Sequence, residues 1–365
     1  MKRRSHAVTL DALSGDFPDY YVYRQSDDNI NPVMYSHFAR KLWVLADQVF
    51  FLLCLSLVLV SFLYFGDKES GTLFLKIINA HEHIESEEAA LRYLGQAKKH
   101  QITKTVILGS PEATLVPGKW GFAREDENNR AMLRVAGKYP GEFIVFPTIN
   151  PENSNKLWQF EEYVRLGAKG LKLYSGHPFF HRRPLDDASM RPIYDYCERA
   201  QIPILFHVNT AFYQQEFENV LKRFPRLKVI CPHFCLSTIR LDRFDSLMSR
   251  YPNLYTDISF GFIDFLKEAL LRFQNNRQSY RALVLKYQDR ILFGLDLTVT
   301  REPYKTAQWI DSMMQVYRDF LEKNHFYFFD LPNVSLRGLD LDIPVLEKIY
   351  FKNFDKLISK HGSRN

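Results

Sequence analysis

Five side chains of metal-binding type stand at or near the ends of apolar segments in this sequence. The first segment ends in His81 and His83, and later segments end in His207 (ILFHV), His233 (VICPH) and Asp296 (LFGLD). Imidazole and carboxylate groups suit Zn²⁺, and a catalytic zinc ion keeps one position open for water. We therefore expect a metal centre if the fold brings these segment ends together.

Short apolar segments alternate with longer amphipathic ones, and this alternation predicts how the five side chains meet. The strand-like segments are 73–81, 103–110, 142–149, 168–175, 202–208, 227–233, 253–259 and 290–296, and the helical patterns are 86–100, 125–139, 155–167, 190–200, 213–224, 237–250, 262–289 and 303–323. Eight such repeats predict an α/β fold, the parallel (β/α)₈ TIM barrel, whose chemistry lies at the carboxyl ends of the strands. A doubly wound sheet is the alternative, but no G-x-G-x-x-G turn follows the first strand.

Each of these side chains also has a purely structural interpretation. A single histidine on an apolar strand is more often a core or surface residue than a ligand, and Asp296 could cap a helix. His81 and His83 share one face of a strand because alternate residues point the same way. The occurrence of all five groups at equivalent places on four strands favours the metal site.

Taken in order, the segments resemble the amidohydrolase superfamily, and more closely its amidohydrolase-related (type 2) branch, which includes aminocarboxymuconate-semialdehyde decarboxylase and related lactone hydrolases. The matching motifs are H-x-H at 81–83, GAKGLKLYSG at 167–176, PILFHV at 203–208, KVICPHF at 228–234, RILFGLD at 290–296 and IPVLEKIYFKNFDKL at 343–357. The resemblance covers residues 75–359. It implies a metal-dependent TIM-barrel hydrolase or decarboxylase.

The resemblance also implies roles for individual residues. His81, His83, His207 and Asp296 are expected to bind the metal, most simply one Zn²⁺, with a second ion as the alternative. His233 is expected to act as the acid/base or to polarise the substrate, and Asp296 could also accept a proton from the metal-bound water.

Three further residues are candidates for substrate binding or for support of the metal ligands. Lys172 lies on the fourth strand, where binuclear relatives carry a carboxylated lysine between two metals, so bridging and purely structural roles also stay open. His177 and Arg301 lie in the loops after the fourth and eighth strands. Cationic loops could bind a carboxylate or phosphate, so an anionic small-molecule substrate is one option, although such residues are more often only solvated.

The sequence departs from the family pattern near the site. Phe234-Cys235 follows the sixth-strand histidine, and Leu297-Thr298 follows the eighth-strand aspartate, where many relatives have Leu-Gly and a small residue with proline. These differences leave the substrate open. Cys231 and Cys235 flank His233, and core thiols are favoured over metal ligands for both.

Composition narrows the class of protein. The 365 residues are 46% apolar and 25% charged, with four cysteines and a net charge of +6. These values exclude a disordered chain and a disulfide scaffold. The mild basicity without a dense Lys/Arg run argues against a nucleic-acid partner.

One segment near the N-terminus is far more apolar than the average. Residues 49–65 read VFFLLCLSLVLVSFLYF without a charge, and extension back to Leu42 gives about 24 residues, enough to cross a bilayer as a helix. A buried helix or a signal peptide's apolar core is the alternative, but some 40 residues precede the run and no A-x-A cleavage pattern follows.

The sequence therefore predicts a single-pass membrane protein with four parts: a disordered polar segment (1–41), a transmembrane helix (42–65), a linker (66–72) and a catalytic barrel (73–365) with a closing helix (344–359). Arg40 and Lys41 precede the span, which favours a cytoplasmic N-terminus and a barrel outside the cytoplasm. If the source is a Gram-negative bacterium, the barrel is expected in the periplasm. The oligomeric state stays open.

The expected activity is attack by metal-activated water on an ester, lactone or amide of a small molecule. Non-oxidative decarboxylation of an unsaturated carboxylic acid is the alternative, because the resembling branch performs it with the same ligands. A catalytically dead barrel that serves as a binding or scaffold protein is the alternative from another class.

Overall fold

The structure is a computed structural model that describes residues 75–359. The chain divides into two units, residues 1–73 and 74–365, and the described residues all belong to the second. The predicted disordered segment, transmembrane helix and linker lie outside the described residues. Within residues 75–359, no helix has the length and apolar character needed to span a bilayer.

Eight parallel strands form the barrel in chain order. They are β1 (Ile77–His83), β2 (Ile102–Leu108), β3 (Phe143–Phe146), β4 (Leu171–Gly176), β5 (Ile204–Val208), β6 (Val229–Ile230), β7 (Leu254–Asp257) and β8 (Ile291–Leu292). Strands β1–β3 and β4–β8 pair continuously. Lys172 N donates to Pro147 O across the β3–β4 seam, and Ala80 N donates to Phe293 O across the β8–β1 seam, so the barrel closes.

Helices cover the outside of the barrel. They are Glu87–Ala97, Glu125–Lys138, Lys156–Arg165, Arg191–Ala200, Thr210–Arg223, Leu241–Arg250, Ile263–Asn275, Arg277–Lys286 and Ala307–Glu322, with a short turn at Glu112–Leu115. A small antiparallel pair, β9 (His325–Tyr327) and β10 (Ser335–Arg337), follows the last of them. The predicted helix 262–289 is divided in two, because Asn276 leaves the helical region with φ −136°.

The barrel interior is a packed core of alternating strand residues. Its members are Ile78, Ala80, Val106, Leu108, Phe146, Leu205, Ile230, Tyr255 and Leu292, joined by Phe354 and Leu357 from the C-terminal segment. Because Lys228 Nζ, just before β6, donates to Leu357 O at 2.8 Å, this segment lies at the amino ends of the strands. The opposite end, where the loops leave the carboxyl ends, is left for the site.

The closing segment differs from the single helix predicted over 344–359. It consists of Ile343–Glu347, a π-helical turn Lys348–Lys352 and Asn353–Ile358. Within the π turn, Ile349 O accepts a hydrogen bond from Phe293 N at 3.0 Å, just beyond β8. The helix is locally widened where one of its carbonyls bonds to the barrel.

Candidate metal centre

Strand β1 carries two histidines into the barrel. His81 and His83 are both buried, and their ring centroids lie 5.4 Å apart. Alternate residues of a strand share a face, so the H-x-H spacing sends both rings toward the same space. This is the arrangement expected from the sequence.

Asp296 meets both rings through one oxygen. Its Oδ1 lies 3.4 Å from Nε2 of His81 and 3.4 Å from Nε2 of His83. Asp296 itself has φ 52°, a left-handed conformation, and its backbone N donates to His81 O at 2.8 Å. The sharp turn after β8 thus aims the carboxylate back at β1.

A second turn brings His233 to the same carboxylate. Residues 233–236, at the end of the predicted strand 227–233 and before the predicted helix 237–250, form a left-handed turn with φ between 50° and 59°. Left-handed geometry costs roughly 1–2 kcal/mol per non-glycine residue. It brings His233 Nε2 to 3.6 Å from Asp296 Oδ2, and the ring 5.3 Å from that of His81.

Asp257, at the end of β7, is the residue that sequence reasoning missed. Its Oδ2 lies 2.7 Å from His81 Nδ1, and its Oδ1 accepts from His233 N at 3.0 Å and from Ser259 Oγ at 2.7 Å. It was present as the aspartate near the end of the seventh strand-like segment (NLYTDIS). The same rule that selected Asp296 would have selected it.

Hydrogen bonds on the far side of each ring fix which nitrogen carries the proton in the neutral form that binds a metal. Asp257 stays ionised, since His81 and His233 hold its pKa below the usual value although burial alone would raise it, so His81 donates through Nδ1–H. His233 Nδ1 lies 2.9 Å from Ser259 O, a carbonyl that can only accept. Their Nε2 atoms are therefore left with lone pairs.

His83 follows the same pattern. Its Nδ1 lies 2.8 Å from Ser110 Oγ and 3.3 Å from the Tyr174 hydroxyl. Those hydroxyls donate to Leu108 O and Gly109 O. His83 Nδ1–H is thus the donor to them, and Nε2 is again an acceptor.

The centre therefore fits a cation. Three Nε2 lone pairs face an aspartate, and His81 Nε2 is fully buried without a hydrogen-bond partner. Acceptors packed against acceptors repel one another unless a metal ion or a proton lies between them. His81, His83 and Asp296 form one group of ligand atoms within 4.8 Å of one another, and His81, His233 and Asp257 form another.

Burial favours the neutral, metal-binding form of His83 and His233. It lowers the pKa of His83 well below the usual value, with Lys172 and the neighbouring histidines adding to the effect. The pKa of His233 is lowered too, although Asp257 and Asp296 oppose the burial.

His207 and His177 lie beside this group. The His207 ring is 5.2 Å from that of His233 and 4.8 Å from that of His177. His207 is less buried than the β1 histidines, and burial lowers its pKa well below the usual value. Burial, reinforced by Lys172, also lowers the pKa of His177 to about 4. His207, assigned by resemblance to the ligands, is outside the groups of atoms within 4.8 Å.

Lys172 lies inside the barrel mouth. It is buried, its Nζ is 4.7 Å from the centre of the Tyr174 ring, and burial lowers its pKa to about 8, with Asp296 and Asp257 opposing. Glu82, between the two β1 histidines, has its pKa raised to about 8 by burial and by Asp296. Burial thus shifts the pKa values of both Lys172 and Glu82 toward the neutral forms of these side chains.

Arg301 lies elsewhere in the mouth. Its guanidinium is paired with Glu85 at 2.7 Å, and both line a pocket of about 200 Å³ with Glu112, Arg124 and Glu127. Ser110, which accepts from His83, also lines this pocket. Because Glu85 already neutralises Arg301, this arginine does not offer a free cation.

The two cysteines that flank His233 are core residues, as expected. Cys231 and Cys235 are fully buried, and Cys235 Sγ lies 3.6 Å from Cys231 O. Both belong to the main hydrophobic core.

Comparison with known proteins agrees with this architecture. An uncharacterized TIM-barrel protein from Bordetella bronchiseptica is 17% identical, with a TM-score of 0.53 over 78% of this chain and 98% of that one. A putative 2-pyrone-4,6-dicarboxylic acid hydrolase from Pseudomonas putida is 16% identical, with a TM-score of 0.53 over 78% and 97%. A probable 2-pyrone-4,6-dicarboxylic acid hydrolase from Acinetobacter baumannii, solved with citric acid bound, is 15% identical, with a TM-score of 0.51 over 78% and 99%. These likenesses show the fold.

No functionally curated protein matches the chain. The model of the amidohydrolase family matches residues 78–324, which include every strand of the barrel except the first residue of β1, together with all the histidines and aspartates of the centre. With the closed eight-stranded barrel and a metal-binding centre at its mouth, the chain belongs to the amidohydrolase family and is an enzyme.

Proposed function

We propose that this protein is a metal-dependent hydrolase that cleaves an ester, lactone or amide of a small molecule. The observation that carries the proposal is that the two oxygens of Asp296 face different partners. Oδ1 faces the Nε2 atoms of His81 and His83, whereas Oδ2 faces Nε2 of His233. One oxygen is thus directed to the metal ligands and the other to a group that can carry a proton.

His81, His83 and Asp296 would hold the metal, with His207 as the further ligand that the resemblance implies. Nitrogen and carboxylate donors in this combination suit Zn²⁺. When bound, a divalent metal lowers the pKa of water and polarises a carbonyl. Asp257 and Ser110 hold the β1 imidazoles in the tautomers that this binding needs.

His233 is the residue best suited to move a proton. In the proposed reaction Asp296 Oδ2 accepts the proton of the attacking water, and His233 Nε2 takes it and delivers it to the leaving group. The lowered pKa of His233 means that its ring is neutral at rest and gives up an acquired proton readily. Ser259 O accepts from Nδ1 and keeps the ring in place meanwhile.

Lys172 is assigned to substrate binding. Its ammonium lies inside the mouth, and a pKa of about 8 leaves it mostly charged at neutral pH. The charge would attract a carbonyl oxygen or a carboxylate of the substrate. His177 would border the same space through its contact with His207.

The experiment measures metal content and then the products. The purified full chain is analysed for stoichiometric divalent metal, supplied with Zn²⁺ if needed, and tested on esters, lactones and amides in ¹⁸O-labelled water. Hydrolysis incorporates ¹⁸O into the acid product. CO₂ release with no ¹⁸O in the organic product would overturn the proposal in favour of decarboxylation. Failure to bind any divalent metal would favour a binding or scaffold protein.

The membrane anchor is a separate proposal that rests on the sequence alone. We infer that residues 42–65 form a transmembrane helix with the N-terminus in the cytoplasm, supported by the uncharged run 49–65 and by Arg40 and Lys41 before it. A reporter fused after residue 365 should be active only outside the cytoplasm. Cytoplasmic activity would overturn the orientation, and recovery of the full chain in the soluble fraction would overturn the span.

A further inference from the structure

Large exposed aromatic side chains gather at the carboxyl end of the barrel. Trp120 follows β2, Phe179 follows β4, Phe212 follows β5, Phe262 follows β7 and Tyr304 follows β8, and each is more than half exposed. Single exposed apolar residues are ordinary on a protein surface. Because they follow five different strands, all of them belong to the end of the barrel that holds the metal centre.

Two of these residues form a contact across loops, which we call the rim pair. The rings of Trp120 and Phe179 meet edge to face with centroids 4.8 Å apart, although the residues are 62% and 54% exposed. Edge-to-face contact holds aromatic rings in a defined mutual orientation. The rim pair thus presents to solvent an apolar surface made of two rings in a defined relative orientation.

Beneath the rim pair lies a buried aromatic wall made of Phe122, Phe180 and Tyr174. The Phe180 ring lies 5.2 Å from that of Phe122 and 4.9 Å from that of Tyr174. The Tyr174 hydroxyl lies 3.3 Å from Nδ1 of His83. The wall therefore connects the loops that carry the rim pair to the metal centre.

A row of ring contacts leads from the rim pair inward. Phe179 lies 5.0 Å from His177, His177 lies 4.8 Å from His207, and His207 lies 5.2 Å from His233. A continuous row of rings thus leads from the surface to the proposed proton carrier.

The pocket beside Ser110 differs in character from the row of rings. It has a volume of about 200 Å³, and its lining mixes charged side chains, among them Arg301 and Glu85, with Leu115, Val116 and Ala131. The row of rings that ends at the rim pair is the aromatic surface available to an apolar group of a substrate at the centre.

We propose, on the basis of the hydrolase function above, that the substrate carries an extended alkyl or acyl chain that lies along His177 and across the rim pair, with its carbonyl at the metal centre. The rim pair is exposed rather than enclosed, so the chain extends out of the barrel. The substrate class is an amphiphilic ester or amide, and Trp120 and Phe179 determine the preference for chain length.

The test measures binding of straight-chain carboxylates, which have the form of the acid product. Affinities of butyrate, hexanoate, octanoate and decanoate for the Zn²⁺-loaded full chain are measured by calorimetry. A hydrocarbon chain that contacts the protein on one side only should gain about twofold in affinity per methylene, because it gains about half the free energy of full burial. Trp120→Ala and Phe179→Ala should each reduce the ratio of decanoate to butyrate affinity by about 3- to 10-fold.

Trp158→Ala is the matched control, because Trp158 is 61% exposed on the outer helix Lys156–Arg165. It should leave the affinity ratio unchanged. The inference is overturned if the wild-type affinity does not rise with chain length, if both rim variants keep the wild-type ratio, or if Trp158→Ala lowers it equally. Failure of the hydrolase proposal can be distinguished from failure of this inference. In that case the affinity for carboxylates still rises with chain length, but no ¹⁸O from labelled water enters the products.

Discussion

Nδ1 of His81 lies 2.7 Å from Oδ2 of Asp257, and both side chains are fully buried. The aspartate cannot donate a hydrogen bond when ionised, so it fixes the proton of His81 on Nδ1 and leaves Nε2 free to bind a metal. The backbone N of His233 donates to the other oxygen of Asp257. One carboxylate thus orients a proposed ligand and the proposed proton carrier together.

We predict that Asp257→Asn weakens metal affinity by about 10- to 100-fold, because an amide can donate to His81 Nδ1 and shift the ring proton to Nε2. Affinity is measured by chelator competition. Asp311→Asn is the matched control, since Asp311 pairs with His100 at 3.0 Å outside the centre. Equal affinities in Asp257→Asn and wild type would show that this hydrogen bond does not set the tautomer.

The proposed division of roles within the centre gives a second prediction. His81→Ala and Asp296→Ala should abolish metal retention, because both remove a ligand atom from the same group. His233→Ala should keep the metal and lose turnover. Metal content is measured by mass spectrometry beside the rate of hydrolysis, and equal loss of metal from all three variants would refute the assignment.

His207 is the residue on which the resemblance and the geometry of the centre differ, because the resemblance makes it a ligand and the grouped ligand atoms do not include it. If it binds the metal as the resemblance implies, His207→Ala should lower the metal content while His177→Ala should not, although the two rings lie 4.8 Å apart. Both variants are compared by metal analysis after dialysis. A wild-type metal content in His207→Ala would remove this residue from the ligand set.

Gly261 offers a test of the position of Asp296. It has φ +70°, and an added Cβ would lie 2.9 Å from Asp296 Oδ2. Gly261→Ala should therefore weaken metal binding in addition to costing about 1 kcal/mol of stability for the left-handed backbone. The control is Gly141→Ala, where φ is +88° and nothing lies within 4 Å of the Cβ. The control should lose stability without losing metal, and the prediction fails if both bind metal equally.

Glu218 makes stability depend on pH. Although burial alone would raise its pKa, hydrogen bonds from Arg250, Gln214 and Tyr251 lower it to about 2. A carboxylate whose pKa is lowered in the folded state stabilises the fold at pH values above its unfolded-state pKa, near 4.5. This contribution is lost as the pH falls toward 2.

We predict that Glu218→Gln lowers the free energy of unfolding by about 2 kcal/mol at pH 7. The difference from wild type should shrink below pH 4.5, as measured by urea unfolding across pH. Glu87→Gln, in an exposed pair with Lys138, is the control and should have a much smaller effect. A difference that stays constant down to pH 2 would contradict the role assigned to the Glu218 carboxylate.

Much of the barrel could be predicted from sequence because strand and helix periodicities are local properties. The eight strand-like segments overlap the eight observed strands, and the H-x-H spacing predicted that His81 and His83 share a face. The left-handed turn at residues 233–236 could not be predicted in the same way. Four consecutive residues there adopt a conformation that their types disfavour, held by contacts such as His233 N with Asp257.

The sequence by itself determined the repeat of eight units, the family and the set of imidazoles and carboxylates at the strand ends, because residue type and spacing record them directly. Only the tertiary structure decided which nitrogen of each ring faces the centre. That choice depends on hydrogen bonds between residues far apart in the chain, such as His81 and Asp257, which are 176 positions apart. It also decided that the rings of Trp120 and Phe179, from loops after different strands, meet at the mouth. Contacts of this kind exist only once the barrel has closed.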